Sequence, residues 1–306
     1  MNPSINERWI FYMVELLLGK PVREEAIAKI KEEVKGLSVV PLAKVIYAEN
    51  CDGGSKIYVQ NKLKLATECG IDMEIAPVLW EDKTKEEIIE QIINYIKEFN
   101  GDDSIQGYFI QLPIKSGIDG QAIKIEDFVD YIDSKKDLDG FTKENFANTW
   151  FNIEGLGACT PQGVIDILDY YGFDLEGKNV LVVNRSHLIG MPIAGLLINR
   201  NATVTIAHSK TRDLKKLTKS ADIVILGTGQ TEAFDSSYFR GKEQVIIDCT
   251  ISRNSKGKLC GDLHPNVYKT KKDLYIAPSP GGVGLMTVVN LMNNVIKATK
   301  LNYKNN

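Results

Sequence analysis

Short apolar runs alternate with amphipathic stretches along most of the chain, and this alternation determines the predicted fold. Runs rich in β-branched residues, such as 180–183 and 203–206, have the length of strands buried in a parallel sheet. Between such runs, apolar residues recur at helical spacing, as in residues 22–35 and 84–99. Strands that alternate with helices indicate an α/β protein with mainly parallel sheets.

The same pattern predicts the individual elements. Strands are predicted at 39–48, 71–76, 105–112, 180–183, 203–206, 223–226, 245–248 and 274–277. Helices are predicted at 22–35, 55–69, 84–99, 125–132, from 160 onward, after Gly190, and at 284–300. Thr84 and Glu87 have the spacing of a capping box, and Thr160 with Pro161 predicts a helix start with Thr160 as its cap.

The stretch Gly177 to Ser209 has the pattern of a strand–helix–strand unit, which presents free backbone N–H groups to a phosphate at its helix start. Its turn, Asn184-Arg185-Ser186-His187, matches the dinucleotide fingerprint poorly because Asn184 replaces the first glycine, so an ordinary crossover unit is an alternative. The second strand ends at His208-Ser209-Lys210, a hydroxyl and a cation where an NAD site carries an acidic residue. With Arg185 nearby, this pattern favours a ribose 2′-phosphate, and therefore NADP over NAD.

The chain has 306 residues, enough for two domains. We expect two sheets rather than one: an N-terminal α/β catalytic domain at 1–158 and a Rossmann-like NADP-binding domain at 159–285. The last helix, 286–306, is expected to pack back onto the first domain. A cleft between the two domains is the expected ligand site.

Composition argues against several classes of protein. The 37 basic and 40 acidic residues nearly balance, so no global field attracts nucleic acid or an anionic membrane. Five cysteines without paired spacing argue against a disulfide framework, and with three scattered histidines they argue against a zinc site. No run reaches membrane-spanning length, and the apolar run 9–18 is interrupted by Glu15 and lacks a cleavage site. We therefore expect a cytoplasmic protein without a metal site.

Lys62 is the most informative polar residue of the chain. On the helix predicted at 55–69 it falls within the apolar arc, one turn after Tyr58, whereas Lys56 and Lys64 lie on the polar side. One explanation is an aliphatic stem that covers the edge of the core while the ammonium reaches water. The other is a lysine in an apolar cleft, where desolvation allows proton exchange near neutral pH.

Three further sites stand where ligands usually bind. Gln111 ends a predicted strand, on the side of a parallel sheet where substrates collect, although it could be an ordinary edge glutamine. Asp139 lies in a polar loop and could instead cap a turn before Gly140. The stretch 278–284, Pro-Ser-Pro-Gly-Gly-Val-Gly, is either a helix entry or backbone that can approach a ligand closely.

The motifs, taken in order, resemble one family. They are Tyr58-Val59-Gln60-Asn61-Lys62, Gln111-Leu112-Pro113, Lys136-Asp137-Leu138-Asp139-Gly140-Phe141, Cys159-Thr160-Pro161, Arg185-Ser186, His208-Ser209-Lys210-Thr211 and Pro280-Gly281-Gly282-Val283-Gly284-Leu285-Met286-Thr287. They extend from the first third of the chain to the last helix, and their order is specific although each motif alone is weak. The chain resembles the bifunctional methylenetetrahydrofolate dehydrogenase/methenyltetrahydrofolate cyclohydrolase (FolD) family.

This resemblance implies a function. It implies NADP-dependent oxidation of 5,10-methylenetetrahydrofolate to the methenyl form, followed by hydrolysis to 10-formyltetrahydrofolate, in one-carbon metabolism and purine biosynthesis. It also implies tetrahydrofolate derivatives as ligands and a homodimer built through the cofactor domains. The alternatives are a cyclohydrolase with weak or lost dehydrogenase activity, a shikimate-type NADP dehydrogenase, and a non-catalytic nucleotide-binding regulator.

The resemblance also implies roles for individual residues. Lys62 corresponds to the catalytic acid/base and Gln111 to its partner, while Tyr58 corresponds to the tyrosine that packs on the folate and Asp139 to the aspartate that holds the pterin. The other implied substrate-binding residues are Val59, Gln60, Asn61, Ile110, Leu112, Pro280, Gly281, Gly282, Val283 and Gly284. The implied cofactor-binding residues are Asn184, Arg185, Ser186, Ser209, Thr228, Gly229, Cys249 and Ile251.

Four positions depart from the family pattern: Ser279 and Leu285 stand where the family commonly has Val and Pro, and the other two replace glycine. Asn184 and Thr250 stand where the family usually has glycine. Asparagine tolerates a positive φ better than most residues, so we expect the change at Asn184 to be harmless. Thr250 lies next to the residue that the resemblance places beside the nicotinamide, and there we expect weaker cofactor binding.

Overall fold

The computed structural model describes residues 14–303 apart from 50 and 52–54. The start of the apolar run 9–18 therefore lies outside the described residues. The chain divides into two compact units. Residues 23–162 with 286–303 form one, called here the three-strand unit, and residues 14–22 with 163–285 form the other, the six-strand unit. The predicted α/β class with mainly parallel strands is confirmed.

The described elements are as follows, in chain order. The strands are β1 (Val14–Leu16), β2 (Leu42–Tyr47), β3 (Asp72–Pro77), β4 (Gly107–Ile110), β5 (Asn179–Val183), β6 (Thr203–Ala207), β7 (Ile223–Leu226), β8 (Gln244–Asp248), β9 (Ser252–Arg253), β10 (Leu259–Cys260) and β11 (Leu274–Ala277). The α-helices are α1 (Gly19–Lys35), α2 (Ser55–Cys69), α3 (Lys85–Gly101), α4 (Lys143–Trp150), α5 (Cys159–Tyr170), α6 (Gly190–Ile198), α7 (Leu214–Ser220) and α8 (Gly284–Tyr303).

The three-strand unit is built on a parallel sheet with the order β3-β2-β4. Helix α3 buries one face, and Ile88, Ile92 and Ile96 on that face are fully buried at a spacing of four residues. The predicted capping box starts this helix: the Thr84 hydroxyl accepts the Glu87 N–H, and the Glu87 carboxylate accepts the Thr84 N–H. Local sequence therefore determines where α3 begins.

Two predicted helices differ in the structure. Residues 125–132 form two short 3-10 turns rather than one α-helix, because Phe128 between them has φ −144° while its ring is fully buried. Helix α5 begins at Cys159, so Thr160 lies in its first turn and is not its cap. The Thr160 hydroxyl instead lies 3.0 Å from that of Thr287. Helices α4 and α7 and strands β1, β9 and β10 were not predicted.

The six-strand unit contains a parallel sheet with the order β1-β11-β8-β7-β5-β6. Strand β1 pairs with β11, so residues 14–22 belong to this unit although the sequence pattern groups residues 1–158 together. The pairing is parallel, so the carboxyl ends of β5, β7 and β8 meet at one edge. That edge collects the turns in which the nucleotide-binding residues were predicted.

Helix α8 belongs to the three-strand unit from residue 286 onward. Its residues Val289, Met292 and Val295 are fully buried. The side-chain amide of Asn294 donates to the carbonyls of Leu138 and Gly157, both at 2.8 Å. Within the part of the chain that the structure describes, none of the helices has both the length and the apolar character needed to cross a bilayer.

Candidate functional sites

The first site lies in the three-strand unit, where α2 carries Lys62 to the end of β4. The Lys62 ammonium donates to Gln111 Oε1 at 2.9 Å, and its Nζ lies 4.1 Å from the centroid of the Phe109 ring. An ammonium over an aromatic face is attracted by the ring quadrupole. The half-buried Lys62 head group is therefore held by an amide and a ring.

The orientation of Gln111 is determined by its other contacts. Its backbone N–H donates to the Ile46 carbonyl at 3.0 Å, which continues the pairing of β4 with β2. Its side-chain NH₂ donates to the Leu112 carbonyl at 2.8 Å. Because the amide nitrogen is committed to a carbonyl, the amide oxygen is the atom that faces Lys62.

Asp139 is the third residue of this site and interacts with Lys62 through its charge. Burial raises the pKa of the Asp139 carboxyl to about 6, and the positive charge of Lys62 acts in the opposite direction. Asp137 raises the pKa of Asp139 further through its negative charge. The Lys62 side chain therefore contacts Gln111 and lies near enough to Asp139 for their charges to interact.

The loop that carries Asp139 is organised by a buried residue that was not predicted to have a role. The Asp137 carboxylate accepts the N–H groups of Gly140 at 3.0 Å and Thr142 at 2.7 Å, and the side-chain amide of Asn145 at 3.0 Å. Burial raises the pKa of Asp137, and these donors oppose that rise. Gly140 has φ +71°, so the turn after Asp139 requires a glycine.

The remaining predicted residues of α2 and β4 lie in different environments. Tyr58 is 43% exposed and Lys62 follows it by one turn, so the two share a face. Val59 is buried in the core, whereas Gln60 and Asn61 are exposed. At the end of β4, Ile110 is buried and Leu112 is half-buried.

The predicted substrate loop, residues 280–284, is described within the six-strand unit. Pro280 and Gly284 are exposed, and Val283 is buried. Gly281 has φ +110°, and its carbonyl accepts the Gly19 N–H at 2.8 Å. Gly282 packs so closely that a Cβ would lie 2.6 Å from the Pro278 carbonyl oxygen. Close packing accounts for glycine at this position.

The second site is the carboxyl edge of the six-stranded sheet. Asn184 follows β5, and its Oδ1 accepts the N–H groups of Ser186 at 2.6 Å and Gly190 at 3.2 Å. Ser186 accepts the N–H groups of Ile189 and Met191 through its hydroxyl and its carbonyl. The expectation of free N–H groups at this helix start is therefore wrong at these four positions, because the two side chains and the Ser186 carbonyl occupy them.

Asn184 does not adopt a positive φ, so its tolerance of that conformation is not needed. The backbone of Gly190 packs directly against that of Asn184. A Cβ on Gly190 would lie 2.1 Å from the Asn184 carbonyl oxygen. The asparagine side chain supplies the hydrogen bonds that stabilise this approach. Gly190 is required there, and Asn184 is accommodated without strain.

Exposed groups at this edge fit an anionic cofactor. Arg185 is exposed in the turn after β5, and Ser209 and Lys210 are exposed after β6. Two cations and a hydroxyl form a donor set suited to a phosphate. Arg185 and Lys210 therefore give this edge exposed positive charge.

The other predicted cofactor residues follow β7 and β8. The Thr228 hydroxyl donates to Asp262 at 2.8 Å, and Gly229 has φ +72°. Burial raises the pKa of the Cys249 thiol, and Ile251 is 46% exposed. Within the described ranges, no group of three or more His, Cys, Asp or Glu residues is arranged to hold a metal ion.

Comparison with known proteins shows the family. Two family models match: the catalytic domain of tetrahydrofolate dehydrogenase/cyclohydrolase over residues 17–139, and its NAD(P)-binding domain over residues 158–303. The bifunctional protein FolD of Agathobacter rectalis is 37% identical over 291 residues, which are 94% of this chain and 100% of that protein.

Solved structures agree. The bifunctional enzyme FolD from Campylobacter jejuni has a TM-score of 0.84 at 33% identity, covering 94% of this chain and 99% of that one. The Trypanosoma brucei enzyme, solved with NADP cofactor and an inhibitor, has a TM-score of 0.81 at 27% identity, covering 95% and 99%. The chain therefore belongs to the tetrahydrofolate dehydrogenase/cyclohydrolase family, whose bifunctional members are called FolD.

Proposed function

We propose that this chain oxidises 5,10-methylenetetrahydrofolate to 5,10-methenyltetrahydrofolate with NADP and then hydrolyses the product to 10-formyltetrahydrofolate. The observation that carries the proposal is the Lys62–Gln111 pair beside Asp139 in a member of this family. Relatives that align along almost the whole chain are named as bifunctional enzymes. The complete span of the match supports both activities rather than one.

For the first reaction, the chain's residues bind and orient. Bound NADP supplies the hydride acceptor, so the protein needs mainly to align two bound molecules. We assign the 2′-phosphate to Arg185, Ser209 and Ser186. The polar loop at Thr228–Gly229 and the exposed Ile251 are assigned to the rest of the cofactor.

For the second reaction, Lys62 acts as the acid/base. Water adds to the cationic methenyl carbon and loses a proton, which gives a neutral carbinolamine. A ring C–N bond then breaks while the carbinol hydroxyl loses its own proton to the solvent and becomes the formyl oxygen. The released nitrogen gains the proton that the water lost. Lys62 Nζ can accept and return that proton, and its contact with Gln111 fixes its position. Above a pH of about 6 the Asp139 carboxylate is ionised, so it can accept paired hydrogen bonds from the pterin.

The proposal extends to the oligomeric state, the cellular location and the pathway of the enzyme. We infer a homodimer formed through the six-strand unit, in which β6 is an edge strand with Thr203 and Thr205 exposed. We also infer a cytoplasmic enzyme of one-carbon metabolism whose product serves purine biosynthesis. Light scattering tests the dimer, which requires twice the chain mass of 34.1 kDa.

An absorbance assay tests the two activities together. Methylenetetrahydrofolate is supplied with NADP or with NAD, and reduced nicotinamide and the methenyl product are followed separately. We expect faster reduction of NADP than of NAD, with little build-up of methenyl product because hydrolysis follows. Hydrolysis of added methenyl substrate without reduction of either cofactor would indicate a cyclohydrolase alone. Absence of both activities would refute the assignment.

A further inference from the structure

The loop that follows β7 is held from both sides at the carboxyl edge of the six-stranded sheet. Strand β7 lies between β5 and β8. On one side, the side-chain amide of Asn184 donates to the Gly227 carbonyl. On the other side, the Thr250 hydroxyl accepts the Gly229 N–H at 3.2 Å. Side chains from both neighbouring strand ends therefore restrain this loop.

Asp262 holds the middle of the same loop. Its Oδ2 accepts both the N–H of Thr228 at 2.6 Å and its hydroxyl at 2.8 Å. Asp262 is fully buried, so these bonds lie in a low-dielectric environment and restrain Thr228 strongly. Gly229 is different, because it has φ +72° and no heavy atom within 4 Å of its Cβ position. The Gly229 N–H donates to the Thr250 hydroxyl, which links this open position to the end of β8.

Thr250 is itself fixed. Its N–H donates to Asp248 Oδ1 at 3.1 Å, while Asp248 Oδ2 accepts the Leu263 N–H at 3.0 Å. Gly261 packs against the same carboxylate so closely that a Cβ would lie 2.1 Å from it. Thr250 is only 7% exposed. The hydroxyl that accepts the Gly229 N–H is thus held on a rigid support.

We propose that Thr250 is a positioning residue for the dehydrogenase reaction and acts through the Gly229 N–H. This inference rests on the proposed function, in which Thr228 and Gly229 form part of the NADP site. Hydride transfer depends steeply on the relative placement of the two reactants, so displacement of the loop slows it. Hydrolysis of the methenyl substrate needs no cofactor. Removal of the Thr250 hydroxyl is therefore expected to slow the dehydrogenase reaction and to leave the cyclohydrolase rate unchanged.

The test compares Thr250→Val with Thr250→Ser. Valine keeps the shape of threonine but removes the acceptor, whereas serine keeps the hydroxyl. For Thr250→Val we expect a two- to tenfold loss, roughly that of one hydrogen bond, in dehydrogenase kcat and kcat/KM for NADP. Hydrolysis of added methenyl substrate without cofactor is expected to stay at the wild-type rate. Thr250→Ser is expected to restore the dehydrogenase.

Thr218→Val is the matched control. Thr218 is also fully buried in the six-strand unit, and its hydroxyl donates to the Tyr238 carbonyl at 2.6 Å. The same substitution there removes a buried hydroxyl away from the proposed site. We expect a lower melting temperature and an unchanged ratio of the two activities.

The outcomes separate the two proposals. Wild-type protein that reduces no NADP refutes the proposed function, and the role of Thr250 with it. If wild type is active and Thr250→Val has the same dehydrogenase kinetics, the positioning role alone is overturned. Equal loss of both activities in Thr250→Val, or failure of Thr250→Ser to recover, would show a structural role and overturn it as well.

Discussion

Lys62 Nζ donates to Gln111 Oε1 at 2.9 Å, and this hydrogen bond joins helix α2 to the residue that follows β4. The two residues are 49 positions apart in the chain. Gln111 is neutral, so it fixes the Lys62 ammonium without adding a negative charge that would favour the protonated form.

Replacing Lys62 with methionine tests the acid/base role. Methionine retains an apolar stem over Phe109 but cannot transfer a proton. We expect the cyclohydrolase rate to fall by about 10²–10⁴-fold, so that methenyl product accumulates in the coupled assay. Lys64→Met is the control, because Lys64 is exposed on the same helix. Similar losses in both variants would contradict the assignment.

Gln111→Glu tests the neutral partner. The substitution keeps the length of the side chain and places a carboxylate against the Lys62 ammonium. An opposite charge favours the protonated ammonium, so the pH profile of the cyclohydrolase is expected to move to higher pH. The measurement is kcat against pH for wild type and variant. A profile that keeps its position while its height changes would argue against proton transfer by Lys62.

Asp139 predicts a pH dependence of substrate binding. Burial raises the pKa of Asp139 to about 6, so the carboxyl is ionised above that value and neutral below it. As the pH falls through about 6, the loss of charge weakens the paired hydrogen bonds to the pterin, and KM for the folate is expected to rise. In Asp139→Asn, KM should exceed the wild-type value above pH 6 and should lose this dependence. If KM of the variant still rises below pH 6 as it does in wild type, Asp139 is not the group that causes the rise.

Gly140→Ala tests the turn after Asp139. A Cβ there would lie 2.6 Å from the Ala158 nitrogen, in a backbone with φ +71°. We expect a loss of roughly 3 kcal/mol in unfolding free energy, the sum of left-handed strain and overpacking. Gly120→Ala is the control, because φ is +69° but space is open, and about 1 kcal/mol is expected.

Urea unfolding followed by tryptophan fluorescence measures both variants, since Trp80 and Trp150 belong to the three-strand unit. Equal losses in the two variants would show that the close approach to Ala158 has no energetic cost.

The features that could be predicted from the sequence depend on residues that are close together in the chain. The position of Lys62 on the apolar arc of α2 follows from spacing within one helix. The capping box of Thr84 and Glu87 spans only three residues. The contacts of Asn184 and Thr250 could not be predicted, because their side chains bond to Gly227 and Gly229, which follow a different strand.

Contacts between distant parts of the chain gave no local signal. Asn294 bonds the Leu138 carbonyl across 156 positions, and Asp262 bonds Thr228 across 34. Strand β1 has only three residues, and its partner β11 lies near the other end of the chain. No periodicity reveals such pairings. The residues that support the loops were therefore missed, whereas the candidate site residues on the loops were predicted from local motifs.

The place of α8 in the three-strand unit has a consequence for biosynthesis. Ribosomes add about 5–20 residues per second, so residues 163–285 take on the order of ten seconds to emerge. During that interval the nascent chain carries Lys62 and Asp139 but lacks Asn294 and the apolar face of α8. The six-strand unit can finish folding first, and the earlier-made three-strand unit is completed last.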